Sequence, residues 1–202
     1  FCMEFVKEFA IFLYKNDIIK FGNFTLSSGK QSTYYIDIRL LPSYPHQYRK
    51  IIKNLQKLIS EQIGLEKFDS LASVPTGGLV IASSLAIEIV KPLIYVRKRQ
   101  KEHGTSKLVE GKTTDGMEIL MIDDVATTGE SVVNALKILK KEGMNMKHAY
   151  VIINRKEGAD KLLESEGVRL HQITDILEIT DILYKENLID EQMLQSVKNQ
   201  VN

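Results

Sequence analysis

Two adjacent carboxylates, Asp123 and Asp124, close the apolar run Glu118-Ile119-Leu120-Met121-Ile122. The small-residue stretch Val125-Ala126-Thr127-Thr128-Gly129-Glu130-Ser131 follows directly. Beyond it, Val133, Leu136 and Leu139 recur at helical spacing within 132–141. The unit reads as strand, loop and helix. Backbone N–H groups of such a loop and of the first helical turn lack intrahelical partners, so they favour an anion such as a phosphate. The hydroxyls of Thr127, Thr128 and Ser131 add donors. Two carboxylates alone would repel a phosphate; they make sense where the ligand also carries a diol or a hydrated divalent cation, and a ribose phosphate offers both. The Gly-x-x-x-x-Gly-Lys-Ser/Thr spacing of the nucleotide P-loop is absent. A crossover turn with solvated acids and an N-cap is the plain alternative.

A second chemical cluster is Arg97-Lys98-Arg99-Gln100-Lys101-Glu102-His103-Gly104, which begins where a short apolar strand ends. It runs into a polar stretch without apolar periodicity, so 97–116 is expected to be a mobile functional loop of about twenty residues, long for a compact domain. Its cations could neutralise a polyphosphate; a solvated charged face is the plain alternative. A third is Thr76-Gly77-Gly78, where two glycines after a strand let the backbone approach a ligand closely or simply make a tight turn. Asn154-Arg155 ends another apolar run.

The elements that must position these residues follow from periodicity. Glu4 to Tyr14 carries a helical stripe of Phe5, Phe9, Phe12 and Leu13, and Gln47 to Ile63 carries Ile51, Leu55, Leu58 and Ile59. Between them, residues 21–39 are rich in β-formers around Ser27-Ser28-Gly29, which predicts a hairpin that serves as a hood or as an ordinary edge. Pro42 and Pro45 punctuate a loop. Strands are expected at 70–74, 92–96, 118–122, 148–153 and 168–173, and helices at 79–90, 131–142, 158–166 and 190–201. Such alternation predicts an α/β fold with a central, mostly parallel sheet flanked by helices. Ligands of such sheets gather at the carboxyl ends of the strands, where 76–78, 123–131 and 154–155 fall.

Composition sets bounds. With 202 residues, the chain suits one α/β domain. A net charge of +1 leaves no global field for nucleic acid or an anionic membrane. Cys2, the single cysteine, leaves no partner for an internal disulfide and fits a reducing, cytoplasmic setting. No run of the sequence reaches membrane-spanning length.

The 119–131 stretch closely resembles the phosphoribosyl diphosphate (PRPP) motif of type I phosphoribosyltransferases. Together with 21–37, 97–104 and Arg155-Lys156-Glu157-Gly158-Ala159, it makes nearly the whole chain similar to the orotate phosphoribosyltransferase family. That resemblance implies the type I fold with a small N-terminal hood in 1–45, and transfer of ribose 5-phosphate from PRPP to N1 of orotate, with Mg2+ held mainly through PRPP near Asp123 and Asp124. It implies that Asp123 and Asp124 hold the ribose hydroxyls, that Ala126, Thr127, Thr128, Gly129, Glu130 and Ser131 cradle the 5-phosphate with Val125 also at PRPP, and that Arg97, Lys98, Lys101 and His103 meet the diphosphate; the place of Thr76 and Gly77 opposite that loop adds them to the PRPP site. Lys101 and His103 join the two acids as catalytic residues. Sharing of the 97–104 loop between subunits implies a homodimer. Thr127 and Arg155 match orotate contacts, the planar guanidinium being suited to grip a carboxylate bidentately. Some members carry Lys where this chain has Ser27 and Gly77, so orotate is expected to rely on Ser28 and Gly29, on Tyr35 and Ile36 as packing surface, and on Lys30 for charge. The length leaves nothing over for a fused decarboxylase, so a monofunctional chain is expected. Two other functions compete: a phosphoribosyltransferase for another base, which would not need Arg155 or His103, and a PRPP-sensing RNA-binding regulator, which would need a basic, aromatic surface.

Overall fold

Apolar residues on both parities of one strand require cover on both faces, and the chain supplies it. In a computed structural model, which describes residues 3–26, 29–97 and 107–201, the sheet is built from β3 (Ser70–Ser73), β4 (Leu93–Val96), β5 (Val109–Glu110), β6 (Glu118–Ala126), β7 (Asn145–Asn154) and β8 (Arg169–Asp175). Their order is β5-β4-β3-β6-β7-β8, with β5 antiparallel to β4 and the other pairings parallel. Along β6, Leu120 and Ile122 join one apolar cluster while Ile119 and Met121 join the other, as the period-two pleat demands.

The first cluster carries α1 (Met3–Lys15), α2 (Pro45–Gln62), α3 (Gly77–Ile89) and α6 (Ile176–Lys185). Ile51, Ile52, Leu55, Leu58 and Ile59 of α2 are buried in it, each stabilising by roughly 1.5–3 kcal/mol. The second cluster lies under α4 (Glu130–Lys141) and α5 (Ala159–Ser165). The hairpin of β1 (Ile19–Thr25) and β2 (Gln31–Ile36) forms a separate two-stranded sheet, and α7 (Glu191–Val201) packs against β2.

Several expected boundaries shift for physical reasons. β6 runs through Asp123 and Asp124 to Ala126 because its ladder with β7 continues from Asp123↔Val151 to Ala126↔Asn154, so the loop shrinks to 127–129. Residues 38–43 form a 3-10 turn, and Pro45 opens α2 at its first position, where a missing N–H costs nothing. The stretch expected to lack structure contains β5, paired Val96↔Val109. The sequence reading passed over α6, which follows β8 without a break; Asp175 caps it by accepting a hydrogen bond from the Glu178 N–H at 2.9 Å.

At the end of the sheet remote from the loops named above, His148 Nδ1 and His171 Nε2 lie 3.0 Å apart, and the Tyr150 ring stacks on His171. Burial, reinforced by the nearby charges of His148 and Arg169, pushes the His171 imidazole down to about 4 from 6.5. The unfolded chain therefore binds this proton more readily, and stability is lost as pH falls from 6.5 towards 4, by up to roughly 3 kcal/mol. His171→Phe keeps a ring beside Tyr150 but removes the titration. Urea denaturation above and within that window should show a smaller acid loss in the variant than in the wild type.

Candidate functional site

β3 leads outward to β4 on one side and β6 leads to β7 on the other, so the strand order diverges between β3 and β6. A cleft opens at the carboxyl ends of two strands that part in this way. Here it has a volume of about 380 Å³ and is lined by Arg39, by Val74 to Gly77 and by Asp123, Asp124, Val125 and Ser131. The two acids approach the first turn of α3 so closely that a Cβ on Gly77 would stand 1.9 Å from Asp124 Oδ2. One on Gly78 would meet Asp123 Oδ1 at 2.4 Å and the Asp123 Cα at 2.9 Å. Thr76-Gly77-Gly78 is thus more than a turn: it makes room for both carboxylates. The acids are also turned back on their own backbone, Asp123 Oδ1 accepting from the Asp124 N–H and Asp124 Oδ1 from the Val125 N–H, both at 2.9 Å.

The anion end is Thr127-Thr128-Gly129 at the start of α4. Gly129 has φ of 85° and packs so tightly on α5 that a Cβ would lie 3.2 Å from the Ala159 Cα. Both facts make a side chain there costly. The Ala159 N–H donates to the Thr127 carbonyl at 3.2 Å and the Arg155 N–H to the Ala126 carbonyl at 2.9 Å, fixing the loop from below. Thr128, Glu130 and Ser131 are exposed at the start of α4.

Arg155 lies beside that loop, 6% exposed. Its guanidinium stacks 4.4 Å from the Tyr34 ring centroid. Nε and Nη2 donate to Glu157 Oε1 at 3.1 and 3.0 Å, and Nη2 also donates to Ser32 Oγ at 3.2 Å. The two-pronged grip expected of Arg155 on an external carboxylate is therefore corrected in part: the Nε–Nη2 fork is engaged by Glu157. Nη1 has no hydrogen bond among the described residues, yet no buried side-chain nitrogen there lacks a partner, so Nη1 is the nitrogen that reaches solvent.

Glu157, its side chain 3% exposed, gathers the surroundings. Oε1 also accepts from Tyr34 Oη at 2.9 Å and Gln200 Nε2 at 3.2 Å, and Oε2 accepts from Lys30 Nζ at 2.7 Å. Burial opposes its ionisation, but the Lys30 hydrogen bond, the Arg155 charge and the Tyr34 hydrogen bond outweigh it and hold the carboxyl below its usual range. Burial above all pushes the Tyr34 hydroxyl far up, so it stays a donor. Lys30 and Arg155 against one Glu157 leave one net positive charge. Gln200 also accepts from the Thr33 N–H at 2.7 Å, tying α7 to the hairpin.

The structure brings Thr76, Gly77, Asp123, Asp124, Val125 and Ser131 into one cleft, with Ala126, Thr127, Thr128, Gly129 and Glu130 following on. Tyr35 and Ile36 are half-buried at the end of β2, Tyr35 packing on Phe24, and Gly29 sits in the hairpin turn with its N–H on the Leu26 carbonyl. Arg97 pairs with Glu110 at 2.9 Å across β4 and β5 and lines a neighbouring cavity with Val74, Ser131 and Asn134. Ser28, Lys98, Lys101 and His103 lie outside the described residues. Sequence reasoning assigned no role to Arg39, Tyr34, Glu157 or Gln200. Glu157 could have been singled out as the acid two residues beyond Arg155; nothing local marks Gln200.

Residues 44–181 match the model of the phosphoribosyl transferase domain family. An orotate phosphoribosyltransferase of Cenarchaeum symbiosum is 46% identical over 97% of this chain and 98% of its own length. This chain belongs to the orotate phosphoribosyltransferase family. The crystal structure of an orotate phosphoribosyltransferase from Aeropyrum pernix superimposes with a TM-score of 0.77 at 36% identity, covering 90% of this chain and 99% of that one. A Leishmania donovani UMP synthase superimposes with a TM-score of 0.83 at 31% identity, over 96% of this chain and 42% of that longer protein. The fold is that of the type I phosphoribosyltransferases.

Within this family member, the two glycines of α3 should fail differently when filled. Gly77→Ala meets only the end of the Asp124 side chain, which can swing away, so thermal stability should hold within about 1 kcal/mol while PRPP turnover falls at least tenfold. Gly78→Ala meets backbone and should lower the melting temperature as well. Thermal melts beside steady-state rates separate the two.

Proposed function

We infer that the protein transfers ribose 5-phosphate from PRPP to N1 of orotate, giving orotidine 5'-monophosphate and diphosphate in pyrimidine biosynthesis. The observation that carries the base assignment is the Lys30–Glu157–Arg155 cluster with its net positive charge beside the phosphate loop. Orotate carries a carboxylate that uracil lacks, and Nη1 of Arg155 is the group left to meet it. Glu157 and Ser32 lock the rest of the guanidinium, so the contact is pre-organised rather than assembled on binding.

In the cleft, Asp123 and Asp124 accept hydrogen bonds from the ribose hydroxyls, while the 126–131 N–H groups and the Thr127, Thr128 and Ser131 hydroxyls take the 5-phosphate. As the N1–C1 bond forms, the C1–O bond to diphosphate breaks, its electron pair leaves with diphosphate, and the N1 proton passes to water. Tyr35, Ile36 and Gly29 give the base a wall. By resemblance, Lys98, Lys101 and His103 stabilise the departing diphosphate.

Among the described residues no three His, Cys, Asp or Glu side chains stand together as a metal cage. Two carboxylates suit a hydrated Mg2+ that takes most of its ligands from water and diphosphate. When bound, Mg2+ would neutralise leaving-group charge. A homodimer is supported by α3, an apolar helix that leaves Val80 and Ile87 exposed, Ile87 at 83%, with Val90 exposed just beyond its end. No helix among the described residues is long and apolar enough to cross a membrane; the cytoplasmic setting is proposed from the pathway.

Orotate consumption followed by ultraviolet absorbance, with PRPP and Mg2+ and with parallel uracil and hypoxanthine reactions, tests the reading. Orotate alone should be consumed, and chelation should stop it. Arg155→Lys should raise the orotate KM about ten- to a hundredfold, by loss of a charge-assisted contact. Preference for uracil would discard the base assignment.

A further inference from the structure

The cleft that takes PRPP is lined by two carboxylates, yet its ligand carries a diphosphate. Something cationic must offset them. The first turn of α3, Gly77-Gly78-Leu79-Val80, carries no cation. Arg97 is engaged by Glu110. The cationic residue among the described residues that line the cleft is Arg39, on the 3-10 turn that follows the hood strand β2.

Arg39 is held in a fixed pose. Its Nε donates to Asp37 Oδ1 at 2.7 Å and its Nη2 to Asp37 Oδ2 at 3.0 Å, a two-pronged fork that sets the plane of the guanidinium. Nη2 also lies 3.4 Å from Tyr35 Oη. Nη1 makes no hydrogen bond among the described residues. The side chain is 62% exposed, and an exposed pair between residues two apart contributes little to folding. The arrangement has a different use: Asp37 aims a cation at the opening beside Thr76 and Gly77. The Asp37 hydrogen bond chiefly favours its charge, and Asp124 across the cleft also contributes.

Resting on the PRPP reading of this cleft, we propose that Arg39 binds the diphosphate of PRPP, with Asp37 as its positioning residue. The cation comes from the hood, on the wall that faces the first turn of α3. The contact spans the hood and the sheet, so diphosphate links the two parts of the molecule on binding.

Titration calorimetry of the full chain with Mg2+ and, separately, PRPP, inorganic diphosphate and ribose 5-phosphate tests the assignment on Arg39→Ala, Arg39→Lys and Asp37→Asn. In Arg39→Ala, PRPP and diphosphate should bind about ten- to a hundredfold more weakly, with ribose 5-phosphate affinity, orotate KM and melting temperature unchanged. Arg39→Lys should recover part of the loss, and Asp37→Asn should show a smaller loss of the same kind. A wild type that binds diphosphate and an Arg39→Ala that binds it equally well overturn the assignment alone. Weakened ribose 5-phosphate binding in place of weakened diphosphate binding also overturns it. A wild type that binds neither PRPP nor diphosphate overturns the reading of the cleft and this assignment with it.

Discussion

One buried carboxylate holds the base end of the site together. Glu157 accepts from Arg155, Tyr34, Lys30 and Gln200, which belong to the strand β7 exit, the hood strand, the hairpin turn and the last helix. A buried carboxylate without such donors would take up a proton or be driven to the surface. With them it stays ionised and makes four distant segments depend on one another. Removing any single donor leaves a charge incompletely paired in a dry place, a costlier change than losing a surface contact.

The phosphate end obeys a different constraint, set by space rather than charge. Asp123 and Asp124 project from a strand that continues pairing with β7 past both of them, and the facing helix turn can accommodate them only because positions 77 and 78 lack side chains. Gly129 repeats the arrangement against Ala159. Glycine at the first two approaches lets β6 and α3 meet at a cleft of about 380 Å³, and at the third lets the start of α4 meet α5 beside it. With Arg39 at the diphosphate as proposed, part of the charge balance in that volume comes from the hood, beside what Mg2+ would supply.

The strand, acids and loop of 118–131 were legible in the sequence because they form one local pattern: an apolar run, acids, hydroxyls and glycine at fixed spacing, each with a local physical meaning. The parallel sheet was legible from alternation for the same reason. What escaped depends on distance. Nothing in Arg97 to Gly104 reveals that Glu110 returns on β5 to pair with Arg97. Tyr34 and Tyr35 are equivalent as β-formers, and only the pleat puts Tyr34 under Arg155 and Tyr35 beside Arg39. Gln200 meets Ser32, Thr33 and Glu157 across more than 160 and more than 40 residues of chain respectively, contacts that no periodicity encodes. α6 is the exception, since Ile176, Ile179 and Leu183 carry a helical stripe that merged with the preceding strand for want of a glycine or proline between them.

Glu157→Gln is nearly isosteric but cannot accept from every donor that meets the carboxylate. Amide hydrogen exchange across 19–36, 118–131 and 191–201, in wild type and variant, therefore tests directly whether this residue unites the hood, the last helix and Arg155. Faster exchange in both 19–36 and 191–201, with 118–131 unchanged, is the predicted result. Unchanged exchange in the hood and the last helix would contradict it, and would mean that apolar packing alone holds the base end of the site.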